Sequence, residues 1–136
     1  MENDINDGVI LAARLLLAAL FFIFGWRKLM DRPGTVSRMV QDGAPFPVLS
    51  TAIAIFMELP VAFAVAVGAF TRPSALLLAL YTLGTALIAH HYWIMTAANK
   101  IESMESFYKN LSIVGGLLLL CITGAGKYSI DAILGL

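Results

Sequence analysis

Charge is what this sequence has least of. Only 13% of its 136 residues are Asp, Glu, Lys or Arg, against 60% hydrophobic residues, and the mean hydropathy is +0.84. A water-soluble domain of this length needs a polar shell that such a composition does not supply. The formal net charge is zero, so no overall field recruits nucleic acid or acidic substrates. Cys121 is the single cysteine, which excludes an internal disulfide and a CxxC thiol pair; in "GGLLLLCITG" it reads as a small buried apolar residue. Gly-rich phosphate loops, nucleophile triads and dinucleotide motifs are missing too. His90 and His91 are adjacent and cannot serve one metal from one helical face. With no H-x-x-x-H or E-x-x-H spacing, neither a metal nor a haem site is expected. The opening "MENDINDG" is acidic and lacks a small-residue cleavage pattern, so the first apolar run is expected to remain as an anchor.

What remains is apolar sequence long enough to cross a bilayer of roughly 30 Å at about 1.5 Å per residue. Spans are expected at about 9–29, 47–70, 74–95 and 107–124, within one integral membrane domain over residues 1–136. Pro33-Gly34 and the stretch from Gly43 to Pro47 read as breakers, with room for a short interfacial helix from Thr35 to Asp42. "TRP" at Thr71–Pro73 is a tight connection, and "TAANKIESMES" reads as a polar loop before the last span. The fold class is therefore all-α, an antiparallel four-helix transmembrane bundle.

Loop charges set the expected orientation. Arg27, Lys28, Arg32, Arg38, Lys100 and Lys109 flank the two longer loops, against Arg72 and Lys127 on the other side. Six against two places those loops in the cytoplasm and both termini in the periplasm, for a multi-pass protein of a bacterial inner (plasma) membrane. Trp26, Tyr92, Trp93 and Tyr108 would form an aromatic belt at the cytoplasmic edge.

Two charges interrupt the apolar runs. Arg14 lies inside the first span and Glu58 near the middle of the second, where a charge costs on the order of 2.5–3.5 kcal/mol. Each must face the bundle interior, and a depth difference of roughly 10 Å by helical rise leads us to expect a buried Arg14–Glu58 pair. Arg14, Ala18, Phe21, Gly25 and Lys28 share one helical stripe; Glu58 shares its own with the small residues Thr51, Ala54 and Ala62. Pro60 lacks an N–H, so the second helix should kink beside the carboxylate. Stripes on the third and fourth helices bring His90, Lys109 and Asn110 toward the depth of Lys28, a candidate ligand pocket. The plainer readings stay open: a register-fixing Arg–Glu strut, a belt histidine, and lysines that only snorkel and set topology.

The segments "ARLLLAALFFIFGWRKL", "DGAPFP", "MELPVAFAVAVGAFTRPSALLLAL", "AHHYW", "FYKNLSIVGGLLLL" and "GAGKYSID" follow one another over most of Val9 to Asp131. In them the chain resembles the DoxX family of small four-helix membrane proteins. The family's arginine, glutamate, histidine and lysine-asparagine positions would fall on Arg14, Glu58, His90, Lys109 and Asn110. The resemblance implies association with quinone-linked redox or oxidative-stress systems, since members include a subunit tied to thiosulfate:quinone oxidoreduction and others linked to thiol and superoxide defence. Related eukaryotic folds act as assembly factors or cargo receptors. Without a thiol pair or haem ligands, any redox role borrows its chemistry from a quinone or a partner. Three functions follow as expectations: an accessory subunit of a quinone-linked oxidoreductase complex, with no catalytic residue assigned; a non-catalytic scaffold, assembly factor or receptor; and a small-molecule transporter. The first would place a quinone against Lys28, His90, Lys109 and Asn110, with Arg14 and Glu58 balancing charge. Partners would be the lipid bilayer, a membrane or peripheral redox protein and, for transport, further copies of the chain, but no nucleic acid.

Overall fold

A computed structural model describes residues 2–136, and these are almost entirely helical. Helix α1 spans Glu2–Met30 and α2 spans Arg32–Gln41. The second apolar run divides into α3 (Pro47–Phe56), a π-helical turn (Met57–Val61) and α4 (Ala62–Val67). Helix α5 covers Thr71–Ala89, a short 3-10 turn covers Tyr92–Ile94, α6 covers Ala97–Thr123 and α7 covers Ile130–Leu134. Four helical stretches are long and apolar enough to cross a membrane: Asn3–Met30, Pro47–Val67, Thr71–Ile94 and Ala98–Thr123.

Side chains spanning the helices show neighbouring spans running in opposite directions. Arg14 of α1 lies against Gly68, while Gly25 lies against Glu58. Eleven steps along α1 therefore match ten steps backward along the second span. Arg72, at the start of α5, donates to the carbonyls of Cys121 and Ile122 at the end of α6. The core is built for close approach. Ala54, Ala62, Ala75, Ala79 and Ala86 are buried, interleaved with Phe21, Leu78 and Leu117. Large apolar side chains such as Leu16, Phe63, Leu119 and Ile122 face outward, as lipid solvation requires.

Several expected boundaries move: α1 starts at Glu2 rather than about 9, the second span ends at Val67 rather than 70, and Thr71–Pro73 forms the first turn of α5 rather than a connection. Three further differences have a local reason. Pro33-Gly34 opens α2 rather than breaking it. Pro33 sits in the first turn, where its missing N–H is not needed, and Asp31 caps the helix by accepting from the Gly34 N–H at 3.1 Å. Helix α6 starts ten residues before the expected 107, because "AANKIESMES" holds good helix formers and no breaker. Polarity there ends the span, not the helix. Conversely α5 stops at Ala89, six residues before the expected end at 95. His90 leaves the helix at φ −120°, ψ 43°, and the chain turns so that Tyr92 and Trp93 both pack edge to face on Phe107 at 5.6 Å. The belt forms here as a cluster of Tyr92, Trp93, Phe107 and Tyr108, with the Tyr92 and Tyr108 hydroxyls 3.3 Å apart. Trp26 stands exposed on α1.

Candidate functional site

Glu58 occupies the π-helical turn, the one place where the second span departs from α geometry. Pro60 is the cause, because it cannot donate the hydrogen bond that α-helical continuation needs. The widened turn presents Glu58 to α1, and only glycine at position 25 lets α1 come close enough. A Cβ there would lie 2.8 Å from the Glu58 Cβ and 3.1 Å from its carbonyl carbon. One turn further along α1, Lys28 Nζ lies 2.9 Å from each Glu58 carboxylate oxygen, with hydrogen-bond geometry to Oε1. The Tyr81 hydroxyl of α5 lies near the same carboxylate without hydrogen-bonding to it, and Glu58 Oε2 has no hydrogen-bond partner among the described residues. The Glu58 side chain is 7% exposed and that of Lys28 26%, so the pair is enclosed on the carboxylate side and opens toward the end of α1. A carboxylate, an ammonium and a phenol in a low-dielectric interior form a group that can hold a proton or give one up.

Arg14 and Glu58 are both buried, as their depth demands, but they do not pair with each other. The register explains this. Gly25 rather than Arg14 stands level with Glu58, and the eleven steps from Arg14 to Gly25 amount to about 16 Å along the helix, beyond the reach of the two side chains together. Arg14 instead forks to two backbone carbonyls of the C-terminal segment, Nη1 to Ala125 O and Nη2 to Tyr128 O, both at 2.7 Å. Gly68, at φ +72°, makes room for it; a Cβ there would sit 2.6 Å from Arg14 Nη1 and 2.4 Å from the Ser129 Cβ. Beside this contact Asp131 caps α5 from sixty residues away, accepting from Phe70 N–H at 2.6 Å and Thr71 N–H at 2.9 Å. Partial burial pushes the Asp131 carboxyl up. The hydrogen bonds from Thr71 and Phe70 and the Arg14 charge outweigh it and hold the group below its ordinary value of 3.8.

The remaining expected pocket residues have separate neighbours. Lys28 is engaged by Glu58. His90 is half-buried at the end of α5, with its backbone N–H bonded to Ala86 O at 3.2 Å and the charges of Asp42 and Arg38 in its surroundings. Lys109 is exposed on α6 and Asn110 is half-buried. No hydrogen bond joins Lys28, His90, Lys109 and Asn110 to one another among the described residues. Two clefts lie elsewhere. One, of about 540 Å³, is walled by α1, α2, α3 and the π-helical turn; the other, of about 460 Å³, lies between the start of α5 and the C-terminal segment. Among the described residues no three His, Cys, Asp or Glu side chains stand together as metal ligands.

Two participants escaped sequence reasoning. Tyr81 carried a signal, as the only phenol within a long aliphatic stretch, where its hydroxyl needs a partner. Asp131 carried none, because its cap acts across the whole chain.

These features define a class: a four-span membrane bundle with one buried, cation-compensated carboxylate and a C-terminal segment pinned by a buried arginine. Within that class the chain belongs to the DoxX family, whose pattern matches residues 9–91. It is similar to the inner membrane protein YphA of Escherichia coli (strain K12), 49% identical over 123 residues that cover 90% of this chain and 88% of that protein. It is also similar to the inner membrane protein YqjF of the same strain, 39% identical over 134 residues, 97% of this chain and 96% of that one. The ER-derived vesicles protein ERV29 of Saccharomyces cerevisiae (strain ATCC 204508 / S288c) is 29% identical over 131 residues, 96% of this chain but 35% of the yeast protein. No solved structure matches.

Proposed function

We infer that this DoxX-family protein is an accessory subunit of a quinone-linked redox or oxidative-stress system in a bacterial inner membrane, and that Lys28, Glu58 and Tyr81 are its proton-handling centre. The observation that carries this reading is the enclosed carboxylate with an ammonium at 2.9 Å and a phenol beside it. Such a group inside a membrane is costly, and function is the usual reason to keep it. The names of the two bacterial relatives support the compartment. A quinone bound in the complex would supply electron and proton transfer. This chain's own part is to take up and release a proton at Glu58, with Lys28 compensating the ionised carboxylate and the Tyr81 hydroxyl close by. Lys28, His90, Lys109 and Asn110 share no hydrogen bond among the described residues, so no quinone contact is assigned to them.

The test is purification from native membranes in mild detergent, followed by extraction. Quinone retained in stoichiometric amount by wild type and reduced in Glu58→Gln, with helicity unchanged, supports the reading. Wild type that is folded and carries no quinone, alone or with co-purifying redox proteins, overturns it. Both termini are proposed to be periplasmic, and an active C-terminal alkaline phosphatase fusion would bear this out, whereas a fluorescent C-terminal green fluorescent fusion would reverse the orientation.

A scaffold or receptor is the second reading, favoured by one observation. The Arg14, Arg72 and Asp131 side chains all bind backbone groups and so serve to fix the shape of the bundle's end. Under that reading Glu58→Gln leaves partner capture and phenotype intact.

A further inference from the structure

The groove between α1, α2 and the second span has a polar end and an apolar length. Arg32 stands at its mouth, at the first turn of α2, and no carboxylate pairs with it among the described residues. Its neighbour Asp31 is committed to capping α2 through the Gly34 N–H, Lys28 is committed to Glu58, and Arg38 and Asp42 lie at the far end of α2. From Arg32 the groove follows the second span from Val48 to Pro60, twelve residues and about 18 Å by helical rise, close to one leaflet of a roughly 30 Å hydrocarbon core. Val48 and Phe56 are 72% and 58% exposed along it, so its open side faces the bilayer. The volume, about 540 Å³, falls in the range of specific ligand sites.

We propose that this groove is a binding site for an anionic phospholipid of the surrounding bilayer, with Arg32 on the phosphodiester and one acyl chain lying along the second span as far as Pro60. The match has three parts: an unpaired guanidinium where α2 marks the end of the spans, apolar walls over one leaflet's depth, and a side open to lipid. The site rests on residues outside the Lys28–Glu58 pair and is tested separately from the redox reading. The wall does, however, end on the turn that carries Glu58, so the acyl chain would brace that turn from the lipid side.

The experiment is native mass spectrometry of the delipidated full chain, titrated with phosphatidylglycerol or with phosphatidylcholine of identical acyl chains. Wild type is expected to prefer phosphatidylglycerol by about fivefold, the value of one cation near a headgroup. Arg32→Gln is expected to lose the preference while still binding lipid. Ala52→Phe, which fills the groove from an exposed position, is expected to reduce retention of both lipids. Arg38→Gln, on the same helix but outside the groove, should keep the preference. Equal binding by wild type, or a preference that survives in Arg32→Gln, overturns the assignment. So does a quinone analogue that saturates wild type but not Ala52→Phe while neither lipid binds selectively, which would give the groove to the quinone instead.

Discussion

Arg14 and Lys28 sit on the same stripe of one helix, and both are cations that the bundle must satisfy, yet the structure uses them in opposite ways. Arg14 is fully enclosed and bonds only to carbonyl oxygens, which do not titrate, so its contact is the same at every ordinary pH. Lys28 is partly open and meets a carboxylate that can gain or lose a proton. One cation fastens the C-terminal segment to the bundle. The other keeps a chemically responsive group inside the membrane. A buried charge becomes a strut or a working group according to the acceptor it finds.

Breaking the strut should have the larger effect. Arg14→Ala strips two charge-assisted hydrogen bonds and leaves the Ala125 and Tyr128 carbonyls without that donor, a loss of about 3–5 kcal/mol in a detergent melting experiment. Arg14→Lys should recover only part of this, since an ammonium lacks the planar fork that reaches both carbonyls. Equal stability of Arg14→Ala and wild type would erase the comparison.

The working pair should cost less to break. Glu58→Ala leaves Lys28 without its partner, but Lys28 lies in the last turn of α1 and can extend toward water. We expect about 1–3 kcal/mol, with recovery in the double variant Lys28→Met/Glu58→Ala. A Glu58→Ala penalty exceeding that of Arg14→Ala would show that the carboxylate, not the arginine, holds the bundle together.

Between the two cations stands Gly25, where α1 and the π-helical turn nearly touch. Gly25→Ala forces a methyl to 2.8 Å from the Glu58 Cβ and should cost about 1–3 kcal/mol by overpacking. Because the strain falls on the Lys28–Glu58 side, proteolytic release of the C-terminal segment should not change. Faster release would mean that the two regions are coupled.

The smallest effect is one of pH. Asp131 has a folded pKa below its unfolded value, so the folded state binds its proton less readily. Its contribution is therefore present above the unfolded value near 3.8 and is lost as pH falls through the lower folded one. Asp131→Asn should flatten the acid limb of a melting-temperature profile below about pH 4 and leave the neutral plateau slightly lower. An unchanged acid limb would remove Asp131 from the strut's surroundings.

Much of the fold was legible because lipid solvation writes itself into composition. Long apolar runs fix the number of spans, and Pro60 announces the distortion at Glu58. The burial of Arg14 and Glu58 followed from cost alone. Their pairing did not. Two helices can slide by a turn without changing which stripe faces inward, so periodicity identifies the face and leaves the axial register undetermined. The stripe of Ala75, Ala79, Thr82 and Ala86 does turn inward, but helical projection assumes the helix continues, and α5 ends at Ala89, where Tyr92 and Trp93 find Phe107.

By itself, then, the sequence determined the class: a membrane bundle of four spans, two interior charges and a proline-distorted second helix, because these depend on transfer free energies and covalent geometry of single residues. Only the tertiary structure decided which charge meets which. The choice rests on the approach of Gly25 to Glu58 and of Gly68 to Arg14, and on a C-terminal segment folding back over the bundle to offer Arg14 two carbonyls. Those are contacts between distant parts of the chain, and their energies exist only once the parts are packed.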